Sequence, residues 1–124
     1  MRPQILLVDD NKLDRELLKL EFESCGFQAV GEAGSGAEAI KMLENVRPAL
    51  VAMDVRMPVE NGLDTLAAFN RIRTRHPDLP IVMISGLNEL HVRHSFLQAG
   101  ALDYLEKPVT RSSIVKLLDK VSAP

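Results

Sequence analysis

An open α/β sheet with helices on both faces is the fold class this sequence predicts. Three observations lead there. The apolar pattern switches repeatedly from short continuous runs to helical spacing and back. Five runs of the first kind alternate with five segments of the second. Finally, the runs Gln4–Val8, Leu50–Met53 and Pro80–Ile84 lack polar alternation, as strands of a parallel sheet covered on both faces require.

Taken in order, Gln4–Val8 reads as the first strand and ends in Asp9-Asp10. Asn11 can cap a helix whose inward face carries Leu13, Leu17, Leu18, Phe22 and Cys25, and Gly26 stops it. Phe27–Val30 is the second strand, ending in Gly31-Glu32 with no comparable reactive residue. Ser35-Gly36-Ala37-Glu38 has capping-box spacing, with Ile40 and Leu43 turned inward behind it. Leu50–Met53 forms the third strand and Asp54 follows it. Asn61 is then the expected cap of a third helix bearing Leu63, Leu66, Phe69 and Ile72, which must stop near His76-Pro77. The fourth strand, Pro80–Ile84, runs into Ser85. Asn88 can open a fourth helix with Val92, Phe96 and Leu97, closing at Gly100. The fifth strand is Leu102–Leu105, and Thr110 can cap a last helix with Ile114, Leu117, Leu118 and Val121 at i, i+3, i+4 and i+7. Ser122-Ala123-Pro124 reads as the start of a linker.

Length and composition bound the rest. The 124 residues suit one domain, 1–124, with one core. With 46% hydrophobic and 26% charged residues the chain is that of an ordinary globular protein, and disorder is excluded. A formal net charge of −2 offers no basic footprint for direct nucleic-acid binding. There is no apolar stretch long enough for a membrane span or a signal peptide. The single cysteine, Cys25, cannot form an internal disulfide and is expected as a small core residue, and the chain is expected in the cytoplasm.

In such sheets ligands bind beyond the carboxyl ends of the strands, where strand order reverses. Those ends carry Asp9 and Asp10, Asp54, Ser85 and Lys107. A flavodoxin-like order 2-1-3-4-5 explains why the second strand ends without such a residue, since it is then the edge farthest from the fourth and fifth. Three carboxylates, a hydroxyl and an ammonium converge on one crevice. Three clustered anions need a divalent cation or must take up protons. Oxygen ligands with room for water and phosphate suit Mg²⁺, with Mn²⁺ as a substitute, and no Cys/His set has zinc spacing. A carboxylate beside Mg²⁺, Lys and Ser is equipped to accept a phosphoryl group.

The motifs Leu6-Leu7-Val8-Asp9-Asp10, Met53-Asp54-Val55-Arg56-Met57-Pro58, Asn61-Gly62, Ile84-Ser85-Gly86 and Tyr104-Leu105-Glu106-Lys107-Pro108, all in order at strand ends, resemble those of a response-regulator receiver domain, the phospho-acceptor half of two-component signalling. The resemblance spans essentially the whole chain and implies roles. Asp54 is the phosphorylated residue. Asp10 ligates Mg²⁺ directly, Asp9 helps through water, and Asp54 and the Arg56 backbone carbonyl complete the protein's share. Lys107 contacts the incoming phosphoryl group, Ser85 moves to hydrogen-bond it, and Tyr104 turns inward into the vacated space. A cis Lys107–Pro108 peptide is common in the family. A sensor histidine kinase or phosphotransfer protein is the implied donor, and a downstream effector domain or protein the implied target. The output surface lies around the fourth helix, fifth strand and fifth helix and can serve a phosphorylation-dependent homodimer. No effector domain is read within residues 1–124. The activity is not that of an ordinary enzyme, because the chain acts only on its own phosphorylation.

Departures from the family pattern carry their own expectations. Gly86 leaves the loop after Ser85 freer than a larger residue would, and Asn61 replaces an Asp often found before Gly62. Arg56 and Leu87 stand at positions that tune acyl-phosphate hydrolysis in the family. Leu87 has no polar group to orient water, so a slow-decaying phosphorylated form is expected. Other features have plainer readings. His91 and His94 belong to a solvated helix face, and Arg71, Arg73 and Arg75 complement a helix dipole. Three rival functions make different demands on the sequence. An aspartyl-phosphate phosphatase needs an acid/base Asp two residues past the nucleophile, where this chain has Arg56. A degenerate receiver would act only as a phosphorylation-independent binding module. A flavin or nucleotide carrier would need a Gly-rich phosphate loop after the first strand.

Overall fold

The computed structural model describes residues 2–87 and 89–122. Strands and helices alternate strictly: β1 Gln4–Val8, α1 Lys12–Ser24, β2 Gln28–Ala33, α2 Gly36–Met42, β3 Leu50–Asp54, α3 Thr65–Arg75, β4 Ile81–Ser85, α4 Leu90–Ala99, β5 Asp103–Glu106 and α5 Arg111–Ser122. All neighbouring strands are parallel and the order is β2-β1-β3-β4-β5, as the sequence predicts.

Period-two alternation divides the core between two faces. Leu6, Val8, Val51, Met53, Ile81 and Met83 pack with Ala39, Leu43, Phe69, Ile72 and Phe96 from α2, α3 and α4. Ile5, Leu7, Leu50, Ala52, Val82 and Ile84 pack with Leu18, Phe22, Ile114 and Leu117 from α1 and α5. Right-handed crossovers produce this split, since the chain moves one way from β1 to β2 and the other way from β2 to β5. The reversal beside β1 leaves the crevice between the ends of β1 and β3.

Several expected boundaries shift for identifiable reasons. β2 extends through Gly31-Glu32 to Ala33, because pairing with β1 continues to Val8↔Ala33 across an irregularity after Ile5. Asp54, Ser85 and Glu106 are the last residues of their strands, held there by parallel pairing (Asp54↔Ile84, Ser85↔Glu106). α3 starts at Thr65, and its cap is Asp64, which accepts from the Ala67 N–H at 2.7 Å; Asn61 is not the cap. Asn61 (φ 53°) and Gly62 (φ 75°) instead make a left-handed turn closed by reciprocal Glu60 and Leu63 backbone bonds. Consequently Leu63 lies before the helix and Leu66 faces solvent, while Thr65 and Ala68 take the inward places. On α1, Leu18 and Phe22 are buried but Leu13 and Leu17 are 65% and 52% exposed. Leu97 of α4 is likewise exposed.

The caps at Asn11 and Ser35 form as read, accepting from Asp14 N–H and Glu38 N–H. Thr110 Oγ1 accepts from Ser113 N–H at 3.3 Å. α1 ends at Cys25, which is buried, and Gly26 (φ 109°), while α4 ends at Gly100 (φ 112°). The expected cap at Asn88 and the linker residues Ala123-Pro124 lie outside the described residues; α4, which Asn88 was expected to open, has Glu89 at its N-cap position. Arg73 does more than offset a dipole: it donates to the Leu79 carbonyl at 3.2 Å and lies against Gly100, where a Cβ would come within 3.1 Å of its Nε.

Candidate functional site

At the carboxyl edge of the sheet, β1 delivers Asp9 and Asp10, β3 delivers Asp54, β4 Ser85, and the end of β5 Lys107. Carboxylate oxygens of Asp9, Asp10 and Asp54 lie within 4.8 Å of one another. Asp9 and Asp54 are buried and Asp10 is exposed, so the trio is open on one side. Lys107 Nζ reaches into it, 3.1 Å from Asp9 Oδ2 and 3.4 Å from Asp54 Oδ2. The Lys107–Pro108 peptide is cis, as expected.

The two buried carboxylates are held by backbone donors as well. Asp9 Oδ1 accepts from the Asn11 N–H at 2.9 Å, and Asp54 Oδ1 from the Arg56 N–H at 3.2 Å. These bonds fix one oxygen of each carboxylate and leave the other toward Lys107. Burial pushes the Asp54 carboxyl up to about 6, an effect that Lys107 opposes and the neighbouring charge of Asp9 reinforces. Burial alone would lower the Lys107 ammonium. Asp54, Asp9 and Asp14 together outweigh that and hold it above its ordinary value, so it is a permanent cation.

Asp14 and Arg15 escaped the sequence reading. Asp14, on the first turn of α1, lies 3.4 Å from Lys107 Nζ, and Arg15 donates to the Asp9 carbonyl at 2.6 Å while pairing with Glu32 at 3.2 Å. The only local signal for Asp14 is an acidic residue near a helix N-terminus, which dipole complementation explains equally well; Arg15 carries no local signal.

Ser85 is buried at the end of β4, but its hydroxyl turns to its own loop. It donates to the Leu87 carbonyl at 2.9 Å and accepts from the Leu87 N–H at 3.1 Å. Tyr104 differs from the expectation that it turns inward on phosphorylation: its ring is already inside, 2% exposed. Its hydroxyl meets no hydrogen-bond partner among the described residues. Arg93 of α4 covers it, with Cζ 5.7 Å from the ring centroid, and donates to the Tyr104 carbonyl at 3.3 Å. An open cleft of about 650 Å³ connects these groups, its walls including Asp10, Arg56, Ser85, Glu89 and Tyr104. The Arg56 guanidinium pairs across it with Glu89. The Leu87 side chain is exposed.

Chemically, the crevice is a partly neutralised acidic site into which the Lys107 ammonium reaches. Its oxygen-rich donor set suits a hard divalent cation, and a phosphoryl group would meet Lys107 on arrival.

Known proteins share this sequence pattern and this fold. Residues 5–119 match the model of the response regulator receiver domain. The chain is 33% identical to the chemotaxis protein CheY of Thermotoga maritima, over 98% of this chain and 99% of that one. The signal receiver domain of the response regulator NarL from Mycobacterium tuberculosis superposes with a TM-score of 0.85 at 30% identity, covering 99% and 98% of the two chains. The receiver domain of the sensor histidine kinase PA1611 from Pseudomonas aeruginosa, solved with a magnesium ion coordinated in its active-site cleft, gives 0.83 at 28% identity over 99% and 100%. Sequence motifs, strand order and the acidic crevice therefore converge, and the chain belongs to the receiver domain family of two-component response regulators.

Proposed function

We propose that this receiver takes a phosphoryl group onto Asp54 from a histidine kinase or phosphotransfer protein and uses it to switch an output surface. The observation that carries this reading is the placement of Asp54 itself: a buried carboxylate with one oxygen tied to the Arg56 N–H and the other 3.4 Å from the Lys107 ammonium. An Asp54 oxygen attacks phosphorus in line. The new O–P bond forms as the bond from phosphorus to the donor's nitrogen breaks, and the imidazole leaves with the electron pair and takes up a proton. Lys107 stays protonated throughout and meets the charge on a phosphoryl oxygen.

Asp9, Asp10, Asp54 and the Arg56 carbonyl are the protein's ligands for Mg²⁺ or Mn²⁺, which neutralises phosphoryl charge when bound. The open side of the trio, at Asp10, leaves positions for water and phosphate. Beside the crevice, exposed Leu13 and Leu17 of α1 give a donor an apolar footing.

Phosphorylation adds charge and acceptor oxygens at the end of β3. The Ser85 hydroxyl can exchange its bonds to Leu87 for a phosphoryl oxygen, which rearranges the loop leading into α4. Tyr104 needs no inward rotation in this scheme. Arg93 couples it to α4, so the α4–β5–α5 face moves as a unit. We place the protein in the cytoplasm with its kinase, and a homodimer through that face is one form the output can take. Among the described residues no helix is long and apolar enough to cross a membrane.

Intact mass after incubation with Mg²⁺ and acetyl phosphate tests the reading. One phosphoryl adduct, lost in Asp54→Asn, is expected. Absence of an adduct under every condition would favour a phosphorylation-independent binding module, and turnover of phosphoesters would favour an enzyme.

A further inference from the structure

The guanidinium of Arg56 and the carboxylate of Glu89 meet across the mouth of the cleft, joining the loop after β3 to the start of α4. Glu89 occupies the N-cap position of that helix, yet its side chain caps nothing. Asn11, Ser35 and Asp64, at the same position of their helices, turn their side chains back to the helix N–H groups. Glu89 instead makes its side-chain contact with another element. Ahead of it, a Cβ at Gly86 would meet nothing within 4 Å. The other carboxylate oxygen of Glu89 lies 3.9 Å from His91 Nε2.

Both partners are partly solvated, the Arg56 side chain 59% and Glu89 32% exposed, so water weakens the pair and it can be broken. Arg56 is also anchored at the reacting carboxylate, because its own N–H binds Asp54 Oδ1. A phosphoryl group on Asp54 would place a doubly charged, fork-matched acceptor within the sweep of the same guanidinium. One carboxylate and one phosphoryl group would then compete for one cation.

We propose that Arg56 and Glu89 form a charge strap that holds the N-terminus of α4 in the unphosphorylated protein and gives way when Arg56 turns to the phosphoryl group. Glu89 is thus a positioning residue: it parks Arg56 away from Asp54 and fastens α4 with the same bond. The second half of this inference rests on Asp54 as the phospho-acceptor; the first half does not.

Hydrogen exchange at the backbone amides of residues 93–96, the first that the helix itself hydrogen-bonds, separates the two. In the unphosphorylated full chain with Mg²⁺, Glu89→Gln and Arg56→Gln should each speed exchange by about two- to fivefold, the range an exposed ion pair allows. The double variant should go no further, and molar salt should bring the wild type to the same level. The charge-reversed pair R56E/E89R should restore protection, a rescue that loss of packing would not give. Unchanged exchange in both single variants, or no rescue, overturns the strap whether or not Asp54 takes a phosphoryl group. In wild type carrying the adduct, exchange should match Glu89→Gln; retained protection with the adduct in place overturns the release. If the wild type forms no adduct, the phospho-acceptor reading and the release fail together, while the exchange of the unphosphorylated variants still decides the strap.

Discussion

Burial pushes the Asp54 carboxyl from its ordinary value of 3.8 up to about 6, so the folded chain holds a proton that the unfolded chain has released across that window. Stability therefore falls as pH rises through it, because the native state binds the extra proton. Above it, in the absence of a divalent cation, the ionised side chain costs on the order of 2–3 kcal/mol. Asp54→Asn is expected to raise the metal-free melting temperature at pH 7.5, with most of that gain gone at pH 4 to 5; equal gains at both pH values would contradict the assignment. The same linkage sets the chemistry. Phosphorylation by acetyl phosphate should decline on the acid side of about pH 6 at low Mg²⁺, and that limb should move to lower pH as Mg²⁺ rises, since bound cation favours the carboxylate. Leu87 is exposed, its backbone already engages Ser85, and its apolar side chain has no group to orient a water. Leu87→Asn should shorten the phosphoryl lifetime by about tenfold or more, the lower range for a positioned polar group, as read by intact mass after the phosphodonor is removed. A lifetime unchanged by that substitution would leave slow decay without its stated cause.

Helix starts show how local chemistry and packing divide control. Asn61 and Asp64 both offer a side-chain oxygen ahead of α3, and short-range patterning favours the earlier one. The chain instead uses Asn61 at φ 53° to turn, and delays the helix to Asp64. Asp64→Ala should cost about 1 kcal/mol in urea unfolding, the usual value of a lost cap, whereas Asn61→Gly should be close to neutral because glycine accepts a positive φ. A larger loss at Asn61→Gly than at Asp64→Ala would reverse that assignment. α2 and α3 meet at a second sensitive point. A Cβ on Gly36 would fall 2.4 Å from the Ala68 Cβ, closer than any real contact, so the helices touch through the absence of a side chain. Gly36→Ala is expected to destabilise by about 1–3 kcal/mol, as overpacking does. The better helix propensity of alanine does not offset that, being worth at most about 1 kcal/mol.

For the molecule as a whole, a single crevice gathers residues separated by nearly the length of the chain, since Lys107 lies 98 positions from Asp9. A ligand that binds only this assembled site must stabilise the fold by mass action. Millimolar Mg²⁺ should therefore raise the wild-type melting temperature, and Asp10→Asn should reduce the rise. Asp10 is exposed, so its replacement leaves the core intact. An undiminished rise would place the cation elsewhere. The fold class, the strand order and the residues of the crevice were legible in the sequence, because unbroken apolar runs can be satisfied only in a sheet covered on both faces, and chain reversal beside β1 sends their polar ends to one place. Leu13, Leu17 and Leu66 lie on the apolar stripes of their helices yet face solvent, because helical spacing fixes a stripe but not which edge of it the sheet covers. Asp14, Glu89 and Arg93 act through partners 93, 33 and 11 residues away, and no local pattern distinguishes them from other surface charges. Sequence alone determined what converges, because periodicity and strand-end placement are local and repetitive. Only the tertiary structure decided how the converged groups are paired: Ser85 turned to its loop, Tyr104 already inside and Arg56 held by Glu89. Those pairings depend on side-chain direction and distance across elements that the chain brings together only when folded.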